Sequence, residues 1–161
     1  MDAQTHLEPT SLRVLLVDDH EDSREGYAAY LRISGAHVDT AANGREGITK
    51  ARELQPDVIV MDLNMPEVDG WRAIRWLKRK RRTRSIPVIA MSARIIDSSE
   101  EVRAREAGFD AACRKPCLPS KLVALIRGML RARKEEQASR DPRSQAFADS
   151  SRQYRTSSAL T

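Results

Sequence analysis

The chain has 161 residues, 40% of them hydrophobic but only 4% aromatic, and 28 Lys and Arg against 23 Asp and Glu leave a net charge of +5. That length holds one domain with a sizeable core plus unpacked sequence at its ends, and leaves little room for a second packed domain. No apolar run approaches the ~20 residues of a membrane helix, MDAQTHLEPTS lacks the basic start and apolar stretch of a secretory signal, and two cysteines cannot make a disulfide framework, so a cytoplasmic protein with free thiols is expected.

Along the chain, residues 1–11 read as a flexible N-terminus. LRVLLV (12–17) is a short β-branched run ending in acids, followed by a helical stretch to about Ser34 that Gly35 stops. AHVDTA (36–41) alternates like a strand with one exposed face, and Asn43-Gly44 marks the turn into a helix over 45–54. DVIVMD (57–62) is a fully apolar strand core. A helix over 70–80 follows, with Trp71, Ile74 and Leu77 on one face. PVIAM (87–91) is the fourth strand, DSSEEVRAREAG (97–108) has the start and stop of a helix, and AACR (111–114) is a short fifth strand. The last helix begins near Pro119 and carries Leu122, Leu125, Ile126, Met129 and Leu130 in a stripe. Residues 133–161 mix charge, Ser and Gln with little apolar periodicity and are expected to be disordered, which leaves a domain over 12–132. Apolar strands alternating with helices imply an α/β fold, a parallel sheet covered by helices on both faces.

In such a sheet ligands sit outside the carboxyl ends of the strands. There the sequence puts Asp18 and Asp19 after the first strand, Asp62 after the third, Ser92 after the fourth and Lys115 after the fifth. Carboxylates gathered in one crevice repel unless a cation joins them, and hard oxygen ligands of this charge suit Mg²⁺, which accepts a phosphate oxygen as a further ligand. Each residue alone has a plainer role. Asp18, Asp19 and Ser92 are good helix N-caps, Asp62 precedes a loop that Pro66 and Gly70 announce, and Lys115 suits a solvated surface.

VLLVDDHEDSREG, VMDLNMPEVDGW, IPVIAMSA and RKPC, in this order and spacing, resemble the receiver domain of two-component response regulators over about 120 residues. The resemblance implies a flavodoxin-like (βα)5 three-layer sandwich with a central five-stranded parallel sheet of order 2-1-3-4-5. It also implies a stand-alone, Mg²⁺-dependent phosphoacceptor of the chemotaxis-regulator type, not an enzyme in the ordinary sense, charged by a histidine kinase or histidine phosphotransfer protein. Residue by residue, Asp62 matches the phosphoacceptor, Asp19 a direct Mg²⁺ ligand and Asp18 one acting through water. Asn64 would lend its backbone carbonyl, Ser92 matches the switch hydroxyl and Lys115 the phosphate-binding lysine. Pro116 matches the proline after a cis peptide bond, and small Ala93 would leave the acyl phosphate open to water. Output would go to a downstream protein effector or onward in a relay. Ile95-Ile96 suits either the contact surface for that effector or an anchor against the sheet, and the resemblance also admits a homodimer through the fourth and fifth predicted helices.

Two features depart from the family pattern. Ala112 stands where receivers carry a bulky or aromatic switch residue, and Val68 replaces the usual methionine. Arg72, Arg75, Lys78, Arg79, Lys80, Arg81, Arg82 and Arg84 fall within 13 positions. An alternative function is therefore constitutive nucleic-acid binding or scaffolding through the run 78–84 and the tail. Against nucleic acid stand the lack of aromatics inside the run and its place at a helix end, where cations favour the dipole. A phosphohydrolase of the haloacid-dehalogenase type is disfavoured because Asn64 occupies the position where an acid is wanted. In CRKPC (113–117), Cys113 and Cys117 are read as small core hydrophobes rather than metal ligands or a redox couple, since no His lies near and structural zinc needs four ligands.

Overall fold

A computed structural model of the chain describes residues 12–66, 69–93 and 106–140. Five strands, β1 (Arg13–Val17), β2 (His37–Ala41), β3 (Val58–Asp62), β4 (Val88–Ser92) and β5 (Ala111–Arg114), pair in parallel in the order β2-β1-β3-β4-β5. Helices α1 (Glu21–Ile33), α2 (Gly44–Leu54) and α3 (Gly70–Arg79) connect them, and α4 (Pro119–Arg140) follows β5. This is the flavodoxin-like sheet expected from the sequence. The helix expected over 97–108 lies outside the described residues except at its end, where Glu106 and Ala107 are helical, and Val68, Ile95 and Ile96 lie outside them too.

Every residue of β3 and β4 is buried, so both faces of the sheet need helices. On one face Leu15, Val17, Ile59, Met61, Val88 and Ala90 share a core with Ala51 of α2 and Ala73, Ile74 and Leu77 of α3. The intervening residues Val14, Leu16, Val60, Ile89 and Met91 point the other way, as strand alternation requires, and they are equally buried. Trp71, expected beside Ile74 and Leu77, is only half-buried, its ring 5.6 Å from that of Phe109.

Local chemistry sets the helix ends. Asn43 caps α2 by accepting from the Glu46 N–H at 2.9 Å while Glu46 accepts from the Ala42 N–H at 2.8 Å, and Asp69 caps α3 by accepting from the Arg72 N–H at 2.7 Å. Gly35, with φ 98°, ends α1 in a conformation that costs glycine little. α3 starts hard against the end of β3: a Cβ on Gly70 would run into the Asp62 carbonyl oxygen and come within 2.8 Å of Leu63 Cα.

Two expectations need correction. Residues 133–140, expected to belong to a disordered tail, continue α4 through Arg140, because the segment is rich in good helix formers such as Ala, Arg, Lys, Glu and Gln and carries a Glu136–Arg140 ion pair of 2.7 Å one turn apart. The described residues fall into two units that divide after Ile126, and those of the second, residues 127–140, are the later part of α4. The cysteines, expected as thiols, form a disulfide between Cys113 and Cys117. The chain turns back directly after β5 and brings their Cα atoms to 6.1 Å, within bridging reach. Both are buried, as expected of small core residues.

Candidate functional site

Parallel strands deliver their last residues to one edge of the sheet. Asp18 follows β1, Asp62 and Ser92 end β3 and β4, and Lys115 follows β5. Asp18 is 0% exposed, Asp62 3% and Ser92 6%. Two carboxylates so buried need a cation, and Lys115 supplies one: its Nζ donates to Asp18 Oδ2 and to Asp62 Oδ2, each at 2.8 Å. The Lys115 N–H donates to the Ser92 carbonyl at 2.7 Å, which fixes the lysine's backbone beside β4.

The remaining lone pairs are largely satisfied by the loops after the strands and by the first turn of α1. Asp62 Oδ1 accepts from the Asn64 N–H at 2.9 Å. Asp18 Oδ1 accepts from the His20 N–H at 2.9 Å, and Asp18 Oδ2 also accepts from the Ser23 hydroxyl at 2.8 Å. Burial alone would push the Asp18 carboxyl up, but hydrogen bonds from Lys115, His20 and Ser23 outweigh it and hold the group below the usual carboxylate range. Burial likewise works against the charge on Lys115, and hydrogen bonds to Asp18 and Asp62 outweigh it, raising the ammonium above its usual value. The site is a poised charge network, not a set of solvated side chains.

Asp18, Asp19, His20 and Asp62 each offer one ligand atom, all within 4.8 Å of one another. Their carboxylate oxygens are hard donors of the kind Mg²⁺ prefers, so the donor set fits that ion. Asp19 is half-buried, its Oδ1 3.1 Å from His20 Nδ1, and Asn64 is exposed beside Asp62.

Asp18, Asp19, Asp62 and Lys115 do not take the plainer roles, and the start of the helix that Ser92 would cap lies outside the described residues. His20, not Asp18 or Asp19, occupies the N-cap position of α1 and makes no side-chain cap, and Lys115 is held by two buried acids. Ala93 is exposed directly beyond β4, and Ala112 is exposed on β5 opposite Ala90. Pro116 follows a cis peptide bond from Lys115, as the resemblance implies.

Sequence reading missed four supporting groups. Besides His20 and Ser23, Arg24 Nη1 donates to the Asp18 carbonyl at 2.8 Å, and the Tyr27 hydroxyl donates to the Cys117 carbonyl at 2.7 Å, tying α1 to the loop after β5. His20 was discoverable from its place beside the acidic pair. The hydroxyls of Ser23 and Tyr27 carry no such signal, because their partners lie across a turn or 90 residues away.

Comparison with known proteins agrees with this geometry. The family model described as "Response regulator receiver domain" matches residues 14–127. Among relatives, the transcriptional regulatory protein PrrA of Mycobacterium tuberculosis is 40% identical over 124 residues, 77% of this chain and 52% of PrrA, so the chain spans about half that protein. The polar-differentiation response regulator DivK of Brucella anthropi is 35% identical over 117 residues, covering 73% of this chain and 94% of DivK. Among solved structures, the receiver domain of sensor histidine kinase PA1611 from Pseudomonas aeruginosa, with magnesium coordinated in its active-site cleft, has a TM-score of 0.68 at 26% identity. That match covers 75% of this chain and 98% of the other. With the sheet order, the acidic edge and the lysine all in place, the chain belongs to the response regulator receiver domain family.

Proposed function

We propose that the chain is a phosphoacceptor switch of the cytoplasm, its receiver spanning residues 12–132, which takes a phosphoryl group onto Asp62 from a histidine kinase or histidine phosphotransfer protein. The observation that carries this reading is the Lys115 ammonium bridging two buried carboxylates, Asp18 and Asp62, at the carboxyl edge of the sheet. An ordinary structural ion pair does not need a second buried acid. A site built to exchange one oxyanion for another does.

Asp18, Asp19, Asp62 and the Asn64 carbonyl would hold Mg²⁺, whose charge, when bound, offsets that of the phosphoryl oxygens. A carboxylate oxygen of Asp62 attacks phosphorus in line, the P–N bond of the donor phosphohistidine breaks, and the electron pair leaves on the imidazole nitrogen. Lys115 exchanges its contact with Asp62 for one with a phosphoryl oxygen, so the protein contributes mainly position and preorganised charge. The Ser92 hydroxyl donates to a second phosphoryl oxygen. Exposed Ala93 leaves the acyl phosphate open to water, which returns the site to its starting state.

The response passes from Ser92 to a downstream protein effector, or the phosphoryl group is relayed onward. With Ala112 in place of a bulky switch residue, the report goes through displacement of the Ser92 and Lys115 backbones, already joined by a hydrogen bond, and not through an aromatic rotamer. Phosphotransfer profiling against the histidine kinases of the source organism tests the proposal. Transfer to the wild type by one kinase and none to Asp62→Asn is expected. Transfer that persists in Asp62→Asn would contradict the assignment.

A further inference from the structure

From Gly70 to Ile96 the sequence contains no acid, yet it carries eight cations between Arg72 and Arg84. Lys78 is partly buried and paired with Asp110 at 2.9 Å. The others, Arg72, Arg75, Arg79, Lys80, Arg81, Arg82 and Arg84, are exposed. Among the described residues, none of these seven side chains makes a hydrogen bond or ion pair. Only the last turn of α3 profits from cations through the helix dipole, and it holds Lys78 and Arg79 alone. Arg72 and Arg75 lie nearer the helix start, and Arg75 and Arg79 are like charges one turn apart, an unfavourable pairing. Arg81, Arg82 and Arg84 lie beyond the helix. So large a one-sign surface has no stabilising role within the domain.

The charge type and its setting narrow the partner. Six of the seven free cations are Arg, whose planar fork matches phosphate oxygens. The apolar residues of the segment, Ala73, Ile74, Leu77 and Ile86, are buried, and the exposed large hydrophobics among the described residues, Ile33 and Leu118, lie on other elements. Among the described residues a protein partner bound through this surface would find no aliphatic anchor and only Trp76, half-buried beneath Lys80 and Arg52, and a membrane would lack an inserting face. Trp76 is half-buried, with Lys80 5.4 Å and Arg52 of α2 6.0 Å from its ring centre, so the cationic surface extends onto α2 over an aromatic floor. The aromatic that the basic run lacks in sequence is thus supplied one turn earlier in α3.

We propose that this face of α3 and the turn after it binds double-stranded nucleic acid through the phosphate backbone, without base readout. The turn lies at the edge of the sheet where β4 begins, opposite the edge that carries Asp62. Five of the seven cations, Arg79, Lys80, Arg81, Arg82 and Arg84, lie at that far end, away from the start of α3 beside Asp62, so binding is independent of Asp62 phosphorylation and anchors the switch constitutively.

The test uses the full chain and a short fluorescent DNA duplex of random sequence, titrated over a series of salt concentrations. The wild type should bind with a steep salt dependence. Arg75→Gln/Arg79→Gln/Arg82→Gln should flatten the slope of log K against log salt by about 2.7, at 0.9 per lost phosphate contact. Lys80→Gln/Arg81→Gln/Arg84→Gln, outside the helix, should do the same and guards against a folding artefact in α3. Beryllofluoride with Mg²⁺ should leave affinity unchanged. Equal binding by the wild type and both variants, preference for phosphatidylglycerol vesicles over the duplex, or loss of binding with beryllofluoride would overturn the proposal.

Discussion

At the scale of single residues, Lys115 holds the site together as well as serving it. Lys115→Met would leave Asp18 and Asp62 buried and facing each other without a cation, at a cost of about 2 kcal/mol near neutral pH in metal-free buffer. Urea unfolding measures this, and added Mg²⁺ should restore part of the loss by taking over the ammonium's charge. The pH dependence has a definite sign on each side. The lowered Asp18 carboxyl gives stability that is complete above the ordinary aspartate range and lost as pH falls through its folded value. The raised Lys115 ammonium gives stability that is complete below the ordinary lysine range and lost as pH rises through its folded value. Metal-free protein should therefore hold its urea midpoint between those limits, and Asp18→Asn should flatten the acid limb. An acid limb unchanged in Asp18→Asn would contradict this. The charged members of the site were legible in sequence because their types are restrictive at strand ends. The disulfide was not, because the redox compartment suggested thiols and the approach of Cys113 to Cys117 depends on how the chain turns after β5.

At the scale of elements, the contact between α3 and β3 fixes where Asp62 sits. Gly70→Ala would drive a methyl group into the Asp62 carbonyl and Leu63 Cα, which are backbone atoms with nowhere to move. It should cost about 1–3 kcal/mol by overpacking and, unlike an ordinary core substitution, should also slow modification of Asp62. Differential denaturation alongside acetyl phosphate labelling separates the two effects. Asn43→Ala, which removes the cap of α2 without touching the side chains of Asp18, Asp62 or Lys115, should cost about 1 kcal/mol and leave labelling intact. Strand cores and helix boundaries were readable because β3 and β4 are short apolar runs and because Asn43-Gly44 at the start of α2 and Gly35 after α1 carry strong turn chemistry. The end of α4 was not. A polar sequence of good helix formers reads equally as tail and as helix, and only the geometry shows it helical through Arg140.

At the scale of the whole molecule, one parallel sheet separates two kinds of surface. Its carboxyl edge gathers Asp18, Asp62, Ser92 and Lys115, while the basic run after α3 lies toward the edge where β4 begins. The sheet order was legible through the match of four separated motifs to one family, since alternating strands and helices alone admit several parallel topologies. Among the described residues no helix is long and apolar enough to cross a membrane. Any ion that binds only the folded carboxyl edge must stabilise the domain by mass action, so Mg²⁺ should raise the melting temperature of the wild type and raise it less in Asp19→Asn. The most direct measurement is intact-mass analysis after incubation with acetyl phosphate and Mg²⁺, for wild type and Asp62→Asn side by side. One phosphoryl group on the wild type, removed by chelating the metal beforehand and absent from Asp62→Asn, is expected. An unmodified wild type, or equal labelling of Asp62→Asn, would contradict the phosphoacceptor role of Asp62.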